Sequence, residues 1–145
     1  MRVDESITVA APRDEVWLIV SDPSGYPQFM EGVNFGVVEG EPPVGERARY
    51  TLRMEVGSAE VGGVVEVTEW EPPHELAWTS ITGIQQRGRW TLRECGPGET
   101  DVTLRFSYQA PGGLLALIAD RLSVPMVRGN LRRSLAGLKG LIEDA

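Results

Sequence analysis

Between residues 33 and 108 the chain breaks into short runs in which apolar and polar residues alternate, separated by the turn clusters EGEPPVG, VGSA, EPPHE, TGIQ and ECGPGE. Successive side chains of a strand point to opposite faces, so this alternation predicts an antiparallel meander with one apolar face and one wet face. Tyr50, Leu52 and Met54 oppose Arg49, Thr51 and Arg53, while Gly88, Trp90 and Leu92 oppose Arg87, Arg89 and Arg93. Val102, Leu104, Phe106 and Tyr108 oppose Asp101, Thr103, Arg105 and Ser107, and Leu76, Trp78 and Ser80 take the inner side of a further strand. Every clear arginine parity is therefore outward. Within residues 61–70, Gly62 and Gly63 read as a bulge that resets the alternation, which would bring Glu69 to the inner face. A sheet with one apolar face needs a cover.

Only the C-terminal stretch GGLLALIADRLSVPMVRGNLRRSLAGLKGLIEDA carries a helical pattern long enough to supply that cover. Leu131, Leu135, Leu138 and Ile142 recur at three- and four-residue steps and share a face with Val124 and Val127; Gly129, Ala136 and Gly140 cluster on the other side. Leu114, Leu115, Ile118 and Leu122 form a stripe pointing elsewhere, and Pro125, which lacks an N–H and clashes with a preceding turn, separates the two. The pattern predicts a short helix over 113–122, a break or kink, and a long helix to about Glu143. The small face should lie away from the core or beneath a close neighbour.

At the other end, Val3, Ile7 and Val9 alternate with Asp4, Ser6 and Thr8 as a first strand. Pro12 followed by Asp14 and Glu15 opens a short helix that ends near Asp22, and Tyr26, Phe29 and Met30 are spaced as one further helical turn. The expected order is strand, two short helices, six strands, a short helix and a long helix. This is an α+β arrangement in which a seven-stranded curved antiparallel sheet wraps around a long C-terminal helix.

The 145 residues suit one domain, 1–145, with a single core. A net charge of -7 argues against nucleic-acid or acidic-membrane partners, which attract basic surfaces. With no apolar leader or membrane-length run in the sequence, a cytoplasmic location is expected, without stable membrane insertion. One cysteine, Cys95, beside the turn Gly96–Pro97–Gly98, leaves no disulfide framework or zinc cluster to build. His74, the one histidine, follows Pro72 and Pro73 in a hairpin turn, where a solvent-exposed role outweighs a catalytic one. The motifs HExxH, GxSxG, GxxxxGK[ST] and GxGxxG are absent, so metal, nucleotide and hydrolase chemistry find no support and no metal or cofactor is expected.

The opening SITVAAPRDEVWLIVSDPSGYPQFMEGV, the strand GETDVTLRFSY and the closing NLRRSLAGLKGLIED resemble the polyketide cyclase/dehydrase branch of the START-like, birch-pollen-allergen-like helix-grip superfamily over nearly the whole chain. That resemblance implies a helix-grip fold with an apolar ligand enclosed between helix and sheet. It leaves three functions open: binding of a lipid, isoprenoid or polyketide-like molecule; aromatase/cyclase or dehydratase chemistry; or an interaction module whose cavity is filled. Cyclases of the family place an arginine in the pocket, whereas the strand arginines here point outward. Tyr50, Tyr108, Trp90, Phe106 and Trp78 have the parity to line the cavity, or simply to fill the core. Tyr26 and Phe29, with Ile118 and Leu122 of the 113–122 segment, are candidates for its entrance. Arg128 shares a helix stripe with Arg132 and Lys139: the stripe is either a solvated flank paired with acids or, at Arg128, a greeting for a ligand carboxylate. The expected partner is a hydrophobic small molecule; the oligomeric state stays open.

Overall fold

The computed structural model describes residues 2–38, 44–56, 59–109 and 124–144. Strand β1 (Arg2–Val9) leads into helix α1 (Arg13–Val20), then a short 3-10 helix (Pro23–Gln28), then β2 (Val33–Val37). The meander continues through β3 (Arg49–Val56), β4 (Ala59–Glu71), β5 (Glu75–Ser80), β6 (Gln85–Gly96) and β7 (Glu99–Gln109), and the long helix is α2 (Val124–Glu143). The strands form one antiparallel sheet in the order β1-β7-β6-β5-β4-β3-β2. This is the α+β architecture expected from the alternation, and the helix-grip fold that the resemblance implies. The helix expected over 113–122, and with it Ile118 and Leu122, lies outside the described residues.

Local chemistry explains the short elements. Pro12, extended at the N-cap of α1, presets the entry into the helix, and Asp14 and Glu15 face the positive end of its dipole. Asp22 caps the 3-10 helix, accepting from the Ser24 backbone N at 3.2 Å and from its Oγ at 2.5 Å. Pro125 occupies the first turn of α2, where its missing N–H breaks no helical bond. Because β1 and β2 are the two edges of the sheet, α1 and the 3-10 helix must carry the chain from one edge to the other. On the way they pack on β6 and on β2 respectively.

Parity holds across the sheet. Tyr50, Leu76, Trp78, Trp90, Leu92, Val102, Leu104 and Tyr108 are buried, and Leu52, Met54 and Phe106 are half-buried against them. The arginines lie on the other face, paired with acids: Arg49 with Glu66 at 2.9 Å, Arg105 with Asp4 at 3.1 Å, and Arg89 with both Glu69 at 2.6 Å and Glu75 at 3.0 Å. These partly exposed pairs set polarity more than stability.

Strand β4 departs from expectation. Gly62 and Gly63 stay in register with Arg53 and Leu52, and the shift falls later, between Val67 and Glu69. It turns Trp70 inward and leaves Glu69 outside, where hydrogen bonding to Arg89 holds its carboxyl below the usual range. The inner-face placement of Glu69 is therefore corrected. Gly62, at φ +136°, marks a close approach instead. The β5–β6 turn lies so near that a Cβ on Gly83 would collide with the Gly62 carbonyl, and one on Gly62 with the Leu52 carbonyl.

Candidate functional site

The site is built by how α2 sits on the sheet. Val127, Leu131, Leu135 and Leu138 are buried, with Val124 and Ile142 half-buried on the same face. Each fully buried leucine contributes about 2 kcal/mol of transfer free energy, enough to hold the helix down. Gly129, Ala136 and Gly140 lie away from this face, with Ala136 exposed. The glycine that meets a neighbour is Gly137, where a Cβ would come within 2.7 Å of the Phe29 carbonyl oxygen.

One flank of α2 is tied to β1. Glu5 shares inner parity with Val3 and Ile7, its side chain is only 13% exposed, and its Oε1 accepts from Arg128 Nη1 at 2.9 Å and Arg132 Nε at 3.1 Å. Further along, Lys139 Nζ donates to the Thr8 carbonyl at 2.7 Å and pairs with Glu143 at 2.8 Å. The basic stripe is thus a flank paired with acids and backbone.

The other flank borders a cavity of about 630 Å³ between helix and sheet. Its helix side carries Met126, Val127, Asn130, Leu131 and Arg133. Leu52, Met54, Val61, Trp78, Leu104 and Phe106 give the sheet side an apolar wall, to which Ile84, Gln86 and Tyr108 add. Tyr26, Met30 and Val33 close one end, and Glu31, Arg53 and Glu55 belong to the facing lip. Gly88 makes room on the sheet floor, since a Cβ there would collide with the indole of Trp78.

Of the residues singled out from sequence, Tyr26, Trp78, Phe106 and Tyr108 are brought together on the cavity wall. Phe29, Tyr50 and Trp90 are buried beside it rather than on it: Phe29 and Trp90 in an aromatic cluster where Tyr26 lies 5.6 Å from Phe29 and 6.1 Å from Trp90, and Tyr50 against Phe35 at 5.7 Å. Arg128 is held by Glu5 and does not line the cavity. His74, exposed in the β4–β5 turn, sits 3.0 Å from Arg13 Nη1, also away from the cavity wall. Among the described residues, no group of three His, Cys, Asp or Glu is arranged to hold a metal ion.

The phenols are held protonated. Burial raises Tyr26 well above the ordinary tyrosine value, helped by neighbouring Tyr50; burial alone raises Tyr50 and Tyr108. Tyr26 spends its hydroxyl structurally, donating to the Val20 carbonyl at 2.6 Å and accepting from Trp90 Nε1 at 3.1 Å. The Tyr50 hydroxyl and Trp78 Nε1 are buried without a partner among the described residues. The wall is mainly apolar, with the amides of Gln86 and Asn130 as its neutral polar groups, a surface suited to a largely hydrocarbon ligand with a few polar atoms. Sequence reasoning missed Glu5, Gln86, Asn130, Arg133 and Gly137. Glu5 alone left a trace, an acid at an apolar parity of the first strand.

Comparison with known proteins gives these features relatives. The model of the family described as polyketide cyclase / dehydrase and lipid transport matches residues 1–143. The Mycobacterium tuberculosis protein Rv0088 is 29% identical over 117 residues, 78% of this chain and 50% of that protein, so the chain spans half the length of this relative. Among solved structures, the Zhui aromatase/cyclase from Streptomyces sp. R1128 superposes with a TM-score of 0.74 at 21% identity, covering 99% of this chain and 93% of that one. A START superfamily protein from Mycobacterium smegmatis gives 0.73 at 18% identity, covering 99% and 97%. At these identities the structural likeness speaks for the fold.

Proposed function

Since the chain belongs to the polyketide cyclase/dehydrase and lipid transport family, we propose that it binds a hydrophobic small molecule, of lipid, isoprenoid or polyketide type, between its sheet and α2. One observation carries this: a cavity of about 630 Å³, walled mainly by aliphatic and aromatic side chains, has been left open in a core that Trp78 and Phe106 do not fill. Its volume lies within the range of small-molecule pockets. The cavity counts against an interaction module with a filled core. Among the described residues the strand arginine that borders the cavity is Arg53, at its lip and paired with Glu60 at 4.0 Å rather than on the inner wall, which favours binding over cyclase chemistry. The aromatase/cyclase reading stands second, on the family's description and on a wall that includes the protonated phenol of Tyr108.

The net charge of -7 supports a small-molecule partner over nucleic acid, and the exposed free thiol of Cys95 supports a reducing, cytoplasmic setting. Native mass spectrometry of the purified chain tests the binding reading. The expected result is a co-purifying or exchangeable apolar ligand at one per chain. A spectrum of unliganded protein that stays unchanged on incubation with fatty acids, isoprenoid alcohols and aromatic polyketides would refute it.

A further inference from the structure

The bases of α2 are not used alike. Arg128 and Arg132 converge on Glu5, and Lys139 is held by Thr8 and Glu143. Arg133 has no ion pair or hydrogen bond among the described residues, and it borders the cavity. Its guanidinium folds back along the helix over Gly129, where a Cβ would stand 3.3 Å from Nη1. The bare glycine singled out in the sequence thus serves as the rest for this group. Asn130, half-buried one turn before Arg133 along the same cavity-facing stripe, makes only a 4.0 Å contact from Nδ2 to Met54 Sδ, a weak acceptor. Two sets of N–H donors, one of them charged, therefore stand at the edge of an apolar chamber with no strong acceptor among the described residues of the chain; Arg133 is exposed there and Asn130 half-buried.

We propose that Arg133 and Asn130 form a head-group site, and that the ligand is an amphiphile with a single carboxylate on an apolar body. A guanidinium presents a planar fork that matches a carboxylate with two parallel hydrogen bonds, and the neighbouring amide adds a third donor. Glu31 and Glu55, on the facing lip, make no ion pair with Arg133. Arg53, the cation beside them, pairs with Glu60 at 4.0 Å, so that lip carries a net negative charge, which favours the α2 lip for an anionic head while the tail enters between Met54, Phe106 and Leu131. The inference rests on the cavity binding an apolar molecule and specifies which end of that molecule stays at the mouth.

The test uses a matched pair of probes, decanoate and decan-1-ol, titrated below their aggregation limits and followed by tryptophan fluorescence, since Trp78 lies on the wall. The intact chain should bind the acid about tenfold more tightly than the alcohol, the worth of one good charge-assisted contact at a partly exposed site. In Arg133→Gln that ratio should fall to about one; in Arg133→Lys, which keeps the charge and loses the fork, it should be intermediate. Arg132→Gln, whose guanidinium belongs to Glu5, should keep the ratio. Equal affinity for acid and alcohol in the intact chain, or an unchanged ratio in Arg133→Gln, would overturn the head-group site while leaving the cavity reading intact. Failure of both probes to bind would overturn the two together.

Discussion

The two flanks of α2 are made from the same kinds of residue and do opposite things. Along β1, Arg128, Arg132 and Lys139 each find a fixed oxygen, and the helix is sealed to the sheet. Along β3, Arg133 and Asn130 find none of comparable strength, and the helix stands off the sheet by the width of a cavity. What separates them is the strand opposite. Inner-facing Glu5 gives the first flank an anion with a nearly buried side chain, whereas Leu52 and Met54 give the second only hydrocarbon and sulfur. A basic helix face is thus a seam where the facing strand turns an acid inward, as β1 does with Glu5, and a mouth where its inward residues are apolar and its acid, Glu55, stays at the lip.

The contrast can be broken from either side. The largest effect is expected at the point where the open flank ends, against Phe29. Gly137→Val must push that contact apart or bend the helix, so urea unfolding should show a loss of about 2–3 kcal/mol. A variant as stable as the original would mean that α2 does not press closely on Phe29 at this point. Next comes the seam itself. Glu5→Gln leaves two guanidinium groups facing a neutral amide; because both arginines can turn toward water, the loss should be about 1 kcal/mol. Amide exchange in the first turns of α2 should quicken at the same time, and unaltered exchange would show that leucine packing alone holds the helix. Smallest is Arg133→Gln, which removes no contact within the chain and should move the unfolding free energy by less than about 0.5 kcal/mol. A larger drop would mean that Arg133 serves the fold rather than a ligand.

How far these features were legible from residues alone depends on which geometry encodes them. Strand parity follows from a fixed period of two, so the burial of Trp78, Trp90 and Leu104 and the outward turn of Arg49, Arg89 and Arg105 were readable. The register shift after Val67 was not, because Thr68 carries no mark of a bulge while Gly62 and Gly63 do; those glycines answer instead to the approach of the β5–β6 turn. On the helix, angular spacing separated the leucine face from the bases. It could not say which base faces β1 and which the cavity, since that depends on where α2 lies across the sheet. Arg128, the base whose position near the helix start suggested a ligand contact, consequently belongs to the seam, and Arg133, to which the sequence assigned no role, borders the cavity. Tyr50 and Trp90 had the right parity for the wall, yet Phe35 packs on Tyr50, and Tyr26 and Phe29 fold in beside Trp90.

The pairing of β1 sets a timetable for the chain. As an edge strand, β1 has one neighbour in the sheet, β7, and its register joins Arg2 to Ser107 and Val9 to Thr100. Within this domain β1 therefore waits for the last strand, β7, before it acquires any sheet partner, and for α2 before Glu5 meets Arg128. Contacts so distant along the chain form late and slow the approach to the native state. The chamber cannot be closed piecemeal as the polypeptide lengthens: its seam joins the two ends of the sequence, and a chain cut short before α2 has a sheet but no vessel.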